Sequence, residues 1–84
     1  MNVVFDEDAW DDYLYWQKTD RRVVQRINDL IQDIQRDPSG GIGKPERLRN
    51  AMSGYVSRRI NAEHRIVYKV KNEALLIVQL RYHY

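Results

Sequence analysis

The chain has 84 residues, no cysteine and a formal net charge of +2. That length makes one small domain, residues 1–84, with a core that is marginal but feasible without metal or disulfide. The missing cysteines exclude a disulfide framework, a thiolate nucleophile and a zinc knuckle. No apolar run approaches the roughly 20 residues of a membrane span, and Met1 to Asp8 lacks the basic start and apolar stretch of a signal peptide, so a soluble, cytoplasmic protein is expected, with no membrane partner.

Val3-Val4-Phe5 reads as a first strand. Asp6 is a good N-cap, and Glu7 and Asp8 in the following turn complement the positive end of a helix dipole, so a helix is predicted to about Gln17. Ala9, Tyr13, Trp16 and Gln17 share one side of it, with Trp10 and Leu14 beside them, which is core spacing. Thr19 or Asp20 caps a second helix, in which Val23, Ile27, Leu30, Ile31 and Ile34 recur with helical period. Asp37-Pro38 ends it, because proline disfavours helix in the residue before it. Pro38 to Gly43 is a flexible loop.

The second half reads as strands: a short extended segment at Leu48 after Pro45, a strand Tyr55 to Ile60 after the Ser53-Gly54 turn, and a hairpin of Arg65 to Val70 with Leu75 to Tyr82 across Asn72-Glu73. The order β-α-α-β-β-β-β predicts an α+β fold, two N-terminal helices on one face of a mostly antiparallel sheet. A two-residue turn would set Tyr68 opposite Ile77. A three-residue loop sets Ile66, Tyr68 and Val70 opposite Leu80, Val78 and Leu76, making one face apolar apart from a phenol. Hydrophobic pattern fixes register, so the second is expected. It puts Arg65 opposite Arg81 on the other face with His83 diagonal to it, places Arg59 beside Arg65, and turns Arg58 away to snorkel at the edge.

Charge follows the same division. Residues 1–20 sum to −5, residues 21–42 to +1 and residues 43–84 to +6. A basic half suits a phosphate backbone or an acidic peptide, and fits a plain solvated face as well. Facing arginines repel unless something anionic lies between them. A phosphate would serve, and so would Glu46, one of three acids in the basic half. A carboxylate, an imidazole that exchanges protons near neutrality and several guanidiniums form a reasonable phosphodiesterase set. No cluster of metal ligands is legible, so no metal or cofactor is expected, and an internal nucleophile is then needed; RNA supplies one in its 2′-OH. By residue types alone the set stays open. Glu46 also fits a rim salt bridge, Arg58-Arg59 a solvated pair, His64 an exposed turn residue and Met52 simple packing.

The stretches Ala9-Trp10-Asp11-Asp12-Tyr13-Leu14-Tyr15-Trp16-Gln17, Gly43-Lys44-Pro45-Glu46, Ser53-Gly54, Ser57-Arg58-Arg59-Ile60, Glu63-His64-Arg65 and Arg81-Tyr82-His83-Tyr84 together resemble the YoeB toxins, in the RelE/ParE superfamily of bacterial toxin–antitoxin systems. The resemblance spans the chain, departing at Asn2 to Phe5 and in the loop Asp37 to Gly43. It implies a RelE-like fold and a ribosome-dependent endonuclease that cuts mRNA in the ribosomal A site. It implies Glu46 as general base, His83 as general acid and Arg65 as the phosphate-stabilising residue, with Arg59 and Tyr84 in support. Lys44, Arg47, Arg49, Arg58 and Arg81 are the basic positions then expected to meet RNA or ribosome. The implied partners are a YefM-type antitoxin with an acidic segment, the ribosome with its mRNA, and a second copy in a homodimer. The alternatives are a toxin that acts by binding alone, as gyrase poisons do, or a module that binds ribosomal RNA without cutting. The set Glu46, Arg65 and His83 argues against the first, and an unchanged effect of His83→Gln would single out the second.

Overall fold

Asp6 opens the first helix through its side chain, which accepts the Ala9 N–H at 2.8 Å, and Asp20 serves the next through the N–H groups of Arg22 and Val23. Asp20 also donates its own N–H to Trp16 O, so one residue closes α1 (Glu7–Thr19) and opens α2 (Arg21–Arg36). Thr19 stays inside α1, its hydroxyl bonded back to Tyr15 O. The computed structural model describes residues 1–82. Around the helices run β1 (Asn2–Phe5), β2 (Glu46–Arg47), β3 (Val56–Arg59), β4 (Arg65–Lys71) and β5 (Ala74–Gln79), with a single 3₁₀ turn at Asn50–Met52. The sheet order is β1-β5-β4-β3-β2. β1 lies parallel to β5 and the other neighbours are antiparallel. This is the predicted α+β architecture. Among the described residues no helix is long and apolar enough to cross a membrane.

Both helices cover one sheet face. Ala9 and Trp16 from α1 and Val23, Ile27, Leu30 and Ile34 from α2 pack with Ile60, Ile66, Tyr68, Leu75, Ile77 and Leu80 in one buried cluster. The α2 positions are those its period selects.

The β4–β5 register differs from the expected one. The turn is the two-residue Asn72-Glu73, both with positive φ, and Lys71↔Ala74, Val70↔Leu75 and Tyr68↔Ile77 pair across it. An irregularity between Val67 and Tyr68 then shifts the ladder so that Val67 meets Gln79, the offset of a three-residue loop. The reason lies in the spacing of apolar residues. Leu75, Ile77 and Leu80 are each fully buried, and strict alternation would turn Leu80 away from the face that takes the other two. One extra residue in the strand brings all three inward. β5 therefore ends at Gln79 rather than Tyr82.

Arg58, expected to snorkel at the edge, is 0 % exposed. It does point to the helix side, but Asp33 of α2 draws its guanidinium inward: Nη1 lies 2.7 Å from Asp33 Oδ2. Nη1 also donates to Ile42 O, Nη2 to Asp37 O and Nε to the Tyr68 hydroxyl, which itself donates to Pro38 O at 2.8 Å. The loop between α2 and β2 is thus wrapped around one side chain. Gly41 sits in the left-handed region, and a Cβ there would fall 2.0 Å from Asp33 Oδ2, so glycine alone fits. Burial raises the Tyr68 phenol above its ordinary value, with Arg58 opposing the shift.

The Ile42 N–H, then Arg58 and Arg36, hold the Asp33 carboxyl below its ordinary value of 3.8. The unfolded chain therefore takes up this proton first as pH falls. Asp33-linked stability is fully present above about pH 4 and is lost as pH drops through the lower folded value. Urea midpoints measured across that range should fall steeply for the parent protein. Asp33→Asn should start lower at neutral pH and show a flatter acid limb; an equally steep limb would mean that Asp33 is not the group responsible.

Candidate active site

β3 alternates Val56, Arg58 and Ile60 toward the helices, so Ser57 and Arg59 point to the bare face. Pairing carries this across the sheet: Glu46 stands opposite Ser57, Ser57 opposite Val67, and Arg59 opposite Arg65. The helix-free face near the sheet's β2 side therefore gathers Glu46, Ser57, Arg59 and Arg65, the arginines on adjacent strands as predicted.

Each element has a local reason for its position. The Arg59 N–H donates to Gly43 O at 2.7 Å, which fastens the loop to β3 immediately before Lys44-Pro45-Glu46. Lys44 is left-handed (φ 53°), and β2 then begins at Glu46. Arg65 follows a tight loop in which Asn61 Oδ1 accepts the N–H groups of Glu63 and His64.

Arg65 Nη1 donates to Ser57 Oγ at 3.2 Å and lies 3.9 Å from Glu46 Oε2. The two partners differ in exposure: 11 % for the Arg65 side chain and 60 % for Glu46. Arg65 is held by its surroundings, while Glu46 stays open to solvent in an ion pair too long to be a hydrogen bond. A positioned guanidinium beside an accessible carboxylate can bind an anionic centre and take a proton from a group next to it. Arg59 is exposed and completes a positive rim.

Two of the expected RNA-facing cations lie elsewhere. Arg58 is buried in the loop knot described above. Arg81 does not stand opposite Arg65 in a ladder, because β5 stops at Gln79; its guanidinium stacks over the ring of Tyr15, 3.6 Å from the centroid, and over Tyr82. Lys44, Arg47 and Arg49 are exposed, although Arg47 pairs with Val56 and so points away from the face that Glu46 occupies. His83 and Tyr84 lie outside the described residues. Their neighbour Tyr82 reaches the site through its backbone, its carbonyl accepting the Arg65 N–H at 3.1 Å.

His64 is no exposed turn residue. It is half-buried, its ring and that of Trp16 form a T-shaped pair with centroids 4.9 Å apart, and its Nδ1 accepts the Tyr82 N–H at 2.7 Å. The sequence carries no signal for this beyond the nearness of histidine to the turn. On the other side of the same segment Asp12 Oδ2 accepts the Leu80 N–H at 3.0 Å. Burial pushes the Asp12 carboxyl up from its ordinary value, opposed by that N–H and by Arg81. Among the described residues no three His, Cys, Asp or Glu side chains gather into a metal-binding group.

Known proteins match over the whole of this arrangement. The family described as the YoeB-like toxin of bacterial type II toxin–antitoxin systems matches residues 5–84. The chain is 55 % identical to Toxin YoeB of Escherichia coli (strain K12) over 84 residues, covering 100 % of each. A YoeB/ParE toxin from Agrobacterium tumefaciens superposes with a TM-score of 0.98 at 51 % identity, again covering 100 % of each chain. YoeB of Staphylococcus aureus is similar in two assemblies. The dimer matches with a TM-score of 0.94 and the heterotetrameric YoeB–YefM complex with 0.92; each is 45 % identical, covering 100 % of this chain and 98 % of that one. Sequence and fold agree along the full length, and the chain belongs to the YoeB-like toxins of bacterial type II toxin–antitoxin systems, in the RelE/ParE superfamily.

Proposed function

We propose that this toxin is a ribosome-dependent endoribonuclease that cuts mRNA in the A site by attack of the message's own 2′-OH. The observation that carries the reading is the juxtaposition of Glu46 and Arg65, 3.9 Å apart, on a sheet face left bare by the helices. Glu46 takes the 2′-OH proton as O2′ bonds to phosphorus. Arg65, steadied by Ser57, neutralises the charge that builds on the phosphorane oxygens. The P–O5′ bond then breaks, leaving a 2′,3′-cyclic phosphate, and His83 gives its proton to the departing O5′. Arg59 adds positive potential at the rim, and Tyr84 supports the same centre. Solvent-facing Glu46 suits a substrate that arrives from outside in a large assembly.

A YefM-type antitoxin is the partner we assign, by likeness to the Staphylococcus aureus complex. An acidic segment lying across residues 43–84, which carry the excess positive charge, would mask the Arg65 face. A homodimer is assigned on the same basis.

The test is cleavage of a message held on ribosomes, either all-RNA or with one 2′-deoxy nucleotide before the scissile phosphate. The all-RNA message should be cut at the A-site codon and the substituted one should resist. Efficient cutting at the deoxy site would rule out 2′-OH attack, and intact message in both arms would rule out the nuclease reading.

A further inference from the structure

Residues 80–82 are held more firmly than an irregular segment past the last strand requires. Leu80 is pinned at both backbone groups, its N–H by Asp12 Oδ2 and its carbonyl by Trp16 Nε1 at 2.8 Å. Tyr82 is pinned in the same way, its N–H by His64 Nδ1 at 2.7 Å and its carbonyl by the Arg65 N–H and by Gln79 Nε2. Between them Arg81 lies over Tyr15. Tyr82 meanwhile has φ 67°, a region that L side chains enter at a cost. Such a backbone persists when its surroundings over-determine it.

Of these restraints, the His64 bond is the one made by a side chain whose chemistry exceeds the task of packing. Asn61 fixes the His64 backbone and the Trp16 indole fixes its ring edge-on. Nδ1 is thereby aimed at a single amide. It accepts through its lone pair, which leaves Nε2 as the ring nitrogen that carries hydrogen in this bond. Trp16 serves the same segment twice, by holding the Leu80 carbonyl and by packing the imidazole.

We propose that His64 is a positioning residue: its Nδ1 holds the Tyr82 amide and so fixes the backbone to which His83, the acid of the nuclease reading, is joined. The proposal rests on the nuclease reading above. It differs from a merely structural role in what it predicts for variants. In His64→Asn the side-chain carbonyl oxygen, bonded to Cγ as Nδ1 is, would keep an acceptor near the same place, whereas leucine would fill the space with none.

The experiment compares the parent protein with His64→Asn, His64→Leu, His83→Gln and the His64→Leu/His83→Gln double variant. Backbone amide exchange is read by NMR on the free protein, and single-turnover cleavage on pre-formed ribosome complexes. In His64→Leu the Tyr82 amide should exchange about tenfold faster, while the Leu80 amide, held by Asp12, keeps its protection and reports an intact fold. Cleavage should fall roughly 10–100-fold, as misplacement of a reacting group does, with the half-saturating ribosome concentration unchanged. His64→Asn should restore both within about threefold. Added to His83→Gln, His64→Leu should cost nothing further, since both act through one group. Unchanged Tyr82 protection, parental cleavage by His64→Leu, or additive losses in the double variant would each overturn the proposal. A parent protein that leaves the message intact would instead refute the nuclease reading, and the exchange measurement would still decide whether His64 holds Tyr82.

Discussion

Glu46→Gln is expected to cut ribosome-held message roughly 10²–10⁴-fold more slowly than the parent, the range over which a lost general base acts, while melting at an unchanged temperature. The two halves of this expectation have separate causes. Glutamine keeps the size and hydrogen-bonding shape of the side chain but cannot take up a proton at neutral pH. Stability should be indifferent because the carboxylate is 60 % exposed, and its ion pair with Arg65 is 3.9 Å long, a type of pair that contributes about 0–1 kcal/mol. His83→Gln should give a loss of similar size if it is the acid. Arg65→Lys should also fail, since a lysine point charge replaces a planar fork that Ser57 orients. Measured single-turnover rates beside melting curves separate the outcomes, and full cleavage by Glu46→Gln would remove Glu46 from the chemistry.

The second large effect concerns folding. Arg58→Met should destabilise the domain by about 3–5 kcal/mol, the cost of removing one partner from a buried pair, and that is a large share of the stability of a small protein. The side chain is 0 % exposed. Besides Asp33 it serves the carbonyls of Asp37 and Ile42 and the hydroxyl of Tyr68, all of which lose a donor at once. Adding Asp33→Leu should recover little of the loss, because the carboxylate keeps Arg36 and the Ile42 N–H when Arg58 is gone, its removal leaves that N–H without an acceptor, and the two carbonyls still lack their partner. Urea unfolding of the single and double variants is the measurement. A shift within about 1 kcal/mol for Arg58→Met, the range of ordinary surface pairs, would show that the knot is not what holds the loop.

Much of this architecture is legible in the chain because local signals and tertiary packing agree. Asp6 and Asp20 are N-caps by residue type and act as N-caps. Val23, Ile27, Leu30 and Ile34 have helical period and are buried. The bringing together of Arg59 and Arg65 follows from a simple hairpin parity. The failures share a different character. The register of the last hairpin depends on one extra residue in β5, and an alternating template has no place for it. Arg58 is drawn inward by partners from a helix and a loop, including main-chain carbonyls that no sequence pattern displays; the one hint is Asp33, three residues after Leu30 and next to Ile34 on the apolar side of α2. Arg81 is misplaced by a strand extended three residues too far, to Tyr82 instead of Gln79. Glu46 and Arg65 come together across β3, where Ser57 pairs with Glu46 and accepts from the Arg65 guanidinium.

The parallel pairing of β1 with β5 has a consequence for how the molecule comes into being. Asn2 has Ala74 as its neighbour and Phe5 has Ile77, so the first strand synthesised waits for the last of the five. β5 is also internal, with β1 on one side and β4 on the other, and it brings Leu75 and Ile77 to the centre of the core. Folding cannot proceed in step with synthesis, since contacts so distant along the chain must close before the interior exists. A nascent chain halted ahead of Ala74 has an unpaired first strand, lacks Leu75, Ile77 and Leu80 from the core, and offers the Arg65 N–H no Tyr82 carbonyl. Such fragments lack the centre of the core, and the sheet is complete only once its last-made strand slots in between β1 and β4.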